Sequence, residues 1–326
     1  MGKHHSDKGK SVSKKSSSKV MIIIGVVAAI VVGVGAAAYF DTSGGGGVTN
    51  NSLVGSWHDV HGVGVYDGTL HLATHNGLFK KADSGWEPVG NEKSDLMGFV
   101  ISPAREDVMY SSGHPASMGG NLGFRKSTDG GQTWQTISPV TSSPVDFHAM
   151  DSSAADENLI YGSPGGGNDI YITHDEGKTW ERLSPPALVV SLAADPADAN
   201  VVYAGTTDGL FASNNQGKSW QKVNADLLEG VVTGLGFAGN TLYAYVMPEQ
   251  GDGYIAKSLD AQTWAKTDGQ IPGARGAWRF SGTDGEVYTI LIQRTTFGAT
   301  AASVYKSVDG GNSWTLEGTN NKSIVS

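Results

Sequence analysis

The sequence predicts an all-β protein, a six-bladed β-propeller, preceded by one N-terminal transmembrane helix. Three observations predict it. A short turn pattern ending in Trp recurs along the chain. Its Trp residues stand at 86, 134, 180, 220, 264 and 314, at intervals of 40 to 50 residues, which suits one four-stranded blade. Ahead of the repeats, residues 20–40 run for 21 positions without a charge.

Taken in order, residues 1–19 are rich in Lys and Ser with no apolar periodicity, the composition of a disordered tail. Residues 20–40 (VMIIIGVVAAIVVGVGAAAYF) are long enough as a helix to span a hydrocarbon core of about 30 Å. The net charge of −9 hides an asymmetry: the tail carries +5 and the remainder −14. Lys before the apolar run and Asp41 after it predict a cytoplasmic N-terminus and an extracytoplasmic remainder. The rival reading is a cleaved signal peptide ending near Ala36-Ala37-Ala38. The run exceeds a signal peptide's usual apolar length, which favours a retained anchor. Residues 41–51 (DTSGGGGVTNN) read as a flexible linker, and 52–326 as the propeller. An acidic outer domain excludes nucleic acid as the partner. Cysteine is absent, so there is no thiolate nucleophile or Cys metal site.

The turn reads Ser127-Thr128-Asp129-Gly130-Gly131-Gln132-Thr133-Trp134, then recurs around Asp175 and Trp180, Asn215 and Trp220, Asp260 and Trp264, and Asp309 and Trp314. A worn copy holds Asp83 and Trp86. Each residue type suits a hairpin turn. Asp or Asn accepts backbone N–H groups just ahead of it, Gly supplies positive φ, and Trp buries a large apolar face as the next strand begins. The leading Ser or Thr is expected to bond across the hairpin. Closure of the ring is expected from residues 52–54 or 323–325, with a seventh, irregular blade as the alternative.

The pattern S/T-x-D-x-G-x-S/T-W resembles the Asp box (BNR repeat) of sialidases, the sortilin ectodomain and photosystem II assembly-factor-like propellers. His61-Gly62-Val63-Gly64, Ala73 to Phe79, Asp95 to Phe99, Ser112 to Pro115 and Asp146 to Ala149 resemble a bacterial family of anchored or secreted propellers labelled glycosyl hydrolases. The expected partner is a protein or glycan ligand, and the propeller is expected to be monomeric. Sialidase chemistry needs three Arg from separate blades. Of the six Arg here, Arg275, Arg279 and Arg294 belong to one blade, while Arg105, Arg125 and Arg182 fall on turns or outer strands.

In a blade whose strands A to D run outward from the axis, the box is the C–D turn. The starts of the A strands and ends of the B strands then share the opposite face, around the channel mouth. Alignment on the boxes places there Asp59-x-His61, Asp95-x-Met97 and Asp146-x-His148 from blades one to three, with His75 and His114 from the B strands. Blades four to six offer Ser191, Thr233 and Gly276. Trp57 is expected near the mouth, able to stack on a ligand, and Gly119-Gly120 and Gly165-Gly166-Gly167 lie in loops on that face. Two readings follow. His61, His75, Met97, His114 and His148 form a ligand or metal site, a His/Met set suiting copper and a His/Asp set zinc. Alternatively, these groups bond loop backbones and line a wet channel. A non-sialidase glycoside hydrolase is the second functional class, with Asp59, Asp95 and Asp146 as candidate carboxylates.

Overall fold

The computed structural model describes residues 57, 59–105, 107–117, 119–271, 273–294 and 300–320, with Arg294 and Thr300 as backbone only. The tail, the apolar run, the linker and both expected closing segments lie outside the described residues. Among the described residues no helix is long and apolar enough to cross a membrane.

The described chain is six consecutive antiparallel meanders of four strands each. The first holds β1 (Val60–Tyr66), β2 (Thr69–Thr74), β3 (Gly77–Ala82) and β4 (Gly85–Val89). The second holds β5 (Asp95–Ile101), β6 (Met109–His114), β7 (Phe124–Ser127) and β8 (Gln135–Ser138). The third holds β9 (Phe147–Ser152), β10 (Ile160–Pro164), β11 (Ile170–Thr173) and β12 (Glu181–Leu183). The fourth holds β13 (Val189–Ala194), β14 (Val202–Thr206), β15 (Gly209–Ser213) and β16 (Gln221–Lys222). The fifth holds β17 (Val231–Ala238), β18 (Thr241–Met247), β19 (Tyr254–Ser258) and β20 (Ala265–Lys266). The last holds β21 (Ala274–Gly282), β22 (Val287–Arg294), β23 (Thr300–Ser307) and β24 (Thr315–Thr319).

Each leading strand packs beside the next, β1 by β5, β9, β13, β17 and β21, and β21 returns to β1. Alternation along the strands makes this possible, because each meander must bury both faces. On β10, Ile160 enters the layer shared with meander two and Tyr161 that shared with meander four. On β14, Val202 and Tyr203 split in the same way. The last such layer joins Tyr288 and Ile290 to Trp57, Val60 and Leu72 of the first meander. Between meanders five and six the leading strands approach closely enough to pair in parallel, fusing two meanders into one eight-stranded sheet. Gly236 permits it: a Cβ there would stand 1.8 Å from the Phe280 carbonyl oxygen.

The box turns close differently in one detail from the expectation. Ser127 Oγ does not reach across the hairpin; it donates to Asp129 Oδ1 (2.7 Å) and accepts the Gly131 N–H (2.9 Å). Asp129 in turn accepts the Thr133 N–H (2.9 Å) and hydroxyl (2.5 Å), four residues ahead. The same set repeats at Thr173/Asp175 and Ser307/Asp309. Three boxes are also tied to their own A–B turns, with Gly130 N–H on Asp107 O, Glu176 N–H on Asn158 O and Gln216 N–H on Asn200 O. Boxes and A–B turns therefore share one face, which leaves the A-strand starts on the other.

Candidate functional site at the channel mouth

Asp59, Asp95 and Asp146 stand at the starts of β1, β5 and β9, and their backbones meet the B-strand ends. Asp59 O accepts the His75 N–H (3.3 Å), Asp95 registers opposite His114, and Asp146 O accepts the Gly165 N–H (3.3 Å). His75, His114 and Gly165 are thus structural equivalents. The glycine has a steric cause, since a Cβ at Gly165 would lie 2.9 Å from His148 Nε2. In meander three the place of a second imidazole is taken by His148. Bulges at Val60/Gly62 and Leu96/Phe99 interrupt the pairing at His61 and Met97.

The side chains form two linked groups. In the first, the His61 and His75 rings stack at 4.5 Å and 29°. Their Nε2 atoms both face Asp95, at 3.8 Å from Oδ1 and 3.4 Å from Oδ2 respectively. Asp59, His61 and His75 each bring one ligand atom within 4.8 Å of the others. His61 is only 6% exposed, and neither ring nitrogen has a hydrogen bond. In the second group, Asp146 Oδ2 accepts His148 Nε2 (2.7 Å) and His114 Nε2 (3.1 Å), while His114 Nδ1 meets the Gly120 carbonyl (3.2 Å).

The electrostatics follow from these contacts. Burial, then the charges of His75 and His148, hold His61 well below the usual imidazole range, so it is neutral. The Asp146 hydrogen bond lifts His114 to about 9, which makes it an imidazolium donating from both nitrogens. Burial pushes Asp95 up to about 7, with the Asp146 charge adding to it, and pushes Asp59 up to about 6. Burial also opposes the ionisation of Asp146, but the bonds from His114 and His148 outweigh it and hold that carboxyl below the ordinary value.

Below the imidazoles the channel narrows to a cavity of about 20 Å³ lined by His61, Met97, His148, Ser191, Trp278 and Arg279 among others. That is space for a water or an ion, far short of the roughly 300 Å³ at which pockets for small organic molecules begin.

The geometry thus brings together the expected His61, His75, His114, His148, Asp59, Asp95 and Asp146, and lines the channel beneath them with Met97. Trp57 is a correction. It is 3% exposed and wedged edge-on against Trp86 (4.9 Å) and Phe79 (6.0 Å), sealing the seam between the last and first meanders with no face left for a ligand. Two channel residues had no signal in the boxes. Trp278 sets its ring edge against His61 at 5.5 Å, and Arg279 reaches across the axis to Met150 O (2.8 Å) and Asp151 Oδ1 (2.5 Å). Bulges in β21 between Ala274 and Gly276 and between Ala277 and Phe280 shift these side chains, which spacing alone does not reveal. As for a sialidase-type Arg cluster, Arg105, Arg125, Arg182 and Arg279 are each committed to Asp or Glu partners.

Comparison with known proteins agrees with this architecture. The BNR/Asp-box repeat model matches residues 125–136 and 171–182. A xyloglucanase of Hypocrea jecorina (strain QM6a) is 26% identical over 161 residues, covering 48% of this chain and 18% of the relative. A xyloglucanase of Acetivibrio thermocellus is 24% identical over 161 residues, covering 42% and 18%. The chain therefore spans about a fifth of the length of these curated relatives. Among solved structures, the Niastella koreensis GH74 enzyme superposes with a TM-score of 0.57 at 17% identity, covering 82% of this chain and 46% of that one. A YCF48 structure bound to D1 peptide gives 0.50 at 18%, covering 81% and 82%. The chain carries BNR/Asp-box repeats and has the fold of this glycosyl hydrolase-like propeller group.

Proposed function

We propose that this chain is a membrane-anchored, six-bladed Asp-box propeller, held outside the membrane by residues 20–40, that works as a binding or assembly module. The observation that carries this reading is asymmetry at the mouth. Meanders one to three contribute four imidazoles and three carboxylates, whereas at the bulged place that holds His61 and His148, meanders four to six carry Val190, Thr233 and Arg275, not the Ser191 and Gly276 that spacing predicts. A channel kept wet for structural reasons alone has no cause to collect its imidazoles and carboxylates in one half. The water-sized cavity favours a small polar ligand, or one polar group of a larger partner, over a sugar ring inside the channel.

A second reading has one specific support. Asp95 is pushed up and Asp146 held down, the split that lets one carboxyl act as general acid and the other as base in glycoside hydrolysis. The similarity to GH74 xyloglucanases fits that reading through the fold. Turnover separates the two. The purified full chain in detergent is incubated with xyloglucan and aryl glycosides beside an Asp95→Ala/Asp146→Ala double variant. The binding-module reading expects identical blanks; turnover lost in the double variant replaces it with the hydrolase.

A further inference from the structure

We propose that Asp59, His61 and His75, completed by the Asp95 carboxylate, form a binding site for one divalent transition-metal ion of the zinc class. The inference rests on the reading of the mouth as a ligand site and specifies what one part of it holds.

Three observations carry it. The first is spacing. Donors about 2.0–2.1 Å from a tetrahedral ion stand about 3.4 Å from one another. The two Nε2 atoms approach Asp95 oxygens at 3.4 and 3.8 Å, and Asp59 brings a further carboxylate oxygen within 4.8 Å of both imidazoles. Asp59, His61 and His75 thus converge on one another, with Asp95 beside both imidazoles. The second is the state of His61. A buried imidazole normally finds a hydrogen bond for at least one nitrogen, because leaving both unmade costs free energy. His61 has none, although it is only 6% exposed and braced by the Trp278 ring. A lone pair kept bare beside two carboxylates and a second imidazole is the arrangement a metal requires. The third is rigidity. Asp59 and His75 are bound to each other through the backbone, and Asp59 Oδ1 accepts the Val60 N–H at 2.9 Å, so the donors sit on paired strand ends and not on a free loop.

The donor set selects the class of ion. Two imidazoles with carboxylates suit zinc, and copper or cobalt next, whereas magnesium and calcium prefer oxygen alone.

The test uses the full chain in detergent, stripped with a chelator and titrated with Co²⁺ under visible absorption, then with Zn²⁺. One equivalent of Co²⁺ is expected, with the intense bands of four-coordinate cobalt, displaced by one equivalent of Zn²⁺. His75→Ala, at the half-buried rim, is expected to weaken binding beyond the roughly 10–100-fold that loss of an outer-shell partner costs. Asp59→Asn is expected to weaken it in the same direction. His174→Ala, on the box face, and His4→Ala/His5→Ala, in the tail, leave it unchanged. Absence of stoichiometric uptake overturns the proposal, as does uptake that survives His75→Ala or is lost with the tail histidines. Should the variants fail to fold, the wild-type cobalt form decides: paramagnetically shifted ring protons from two histidines support the site, and none or one overturns it. No metal together with no glycoside turnover removes only this inference. Turnover dependent on Asp95 and Asp146 removes the binding-module reading itself.

Discussion

Asp309 in the last box and Asp95 at the mouth are the same side chain on opposite faces of the ring. The Ser313 hydroxyl and N–H, with the Ser307 hydroxyl, hold Asp309 at about 2. Asp95, desolvated and beside the Asp146 carboxylate, is pushed up to about 7. On the box face the Asp or Asn side chain of the turn finds its partners within its own turn, and the motif repeats because one turn solves one problem several times. On the mouth face the groups remain incompletely partnered, and they are unequal from one meander to the next. A structural aspartate is recognised by its satisfaction, a functional one by its lack of it.

The largest effect is expected on the axis, where Arg279 ties meander six to meander three. Arg279→Met strands the buried Asp151 carboxylate, which keeps only the Ala194 N–H (2.9 Å) on its second oxygen. Denaturant melts should show a loss of about 3–5 kcal/mol. A smaller loss would mean that water reaches Asp151. Next comes box packing. Gly177 sits at φ +85°, and a Cβ there would lie 2.2 Å from the Phe124 ring, so Gly177→Ala should cost about 2–4 kcal/mol in the same measurement.

Box chemistry follows. Asp175→Ala removes acceptors for the Thr173 and Thr179 groups and should cost about 1–2 kcal/mol, whereas Asp175→Asn should cost less, since Asn215 already fills this role in its own box. The pH dependence checks the mechanism. Burial opposes ionisation of Asp175, but the Thr179 and Thr173 bonds prevail and hold it at about 2. Its contribution is therefore present above the unfolded value near 3.8 and lost as pH falls through about 2. Asp175→Asn should flatten that acid limb.

An effect of the opposite sign is expected at the mouth. With its folded value raised to about 7, Asp95 binds its proton more tightly in the native state than in the unfolded one. Stability should fall as pH rises from about 3.8 to about 7, because burial and then the Asp146 and Asp59 carboxylates disfavour the charged form, against the opposing His114 charge and with His61 and His75 also facing it. In metal-stripped protein, Asp95→Asn should shrink that fall and leave the chain at least as stable at pH 8. A destabilisation there would show that Asp95 is a structural anchor like Asp309.

Most of the fold was legible because the box is self-contained. Ser127, Asp129, Gly131 and Thr133 close their turn with one another, so their order in the chain dictates the geometry, and the interval between Trp residues counts the strands. Mouth membership was legible for Asp59, His61, Asp95, His114, Asp146 and His148 through alignment on those turns. What escaped depends on bulges and on contacts between distant meanders. Spacing does not show that Gly165 takes the place of an imidazole to make room for His148. Nor does it show that Trp57 closes a seam or that Arg279 crosses the axis.

The central claim is that the imidazoles and carboxylates of meanders one to three form a single ligand site, with a metal ion as its first occupant. Anomalous diffraction from crystals of the zinc-loaded chain tests it most directly. The account predicts one strong zinc peak bonded to His61, His75 and the neighbouring carboxylates. A folded propeller with no peak at the mouth, or with zinc held by the box aspartates instead, would contradict it.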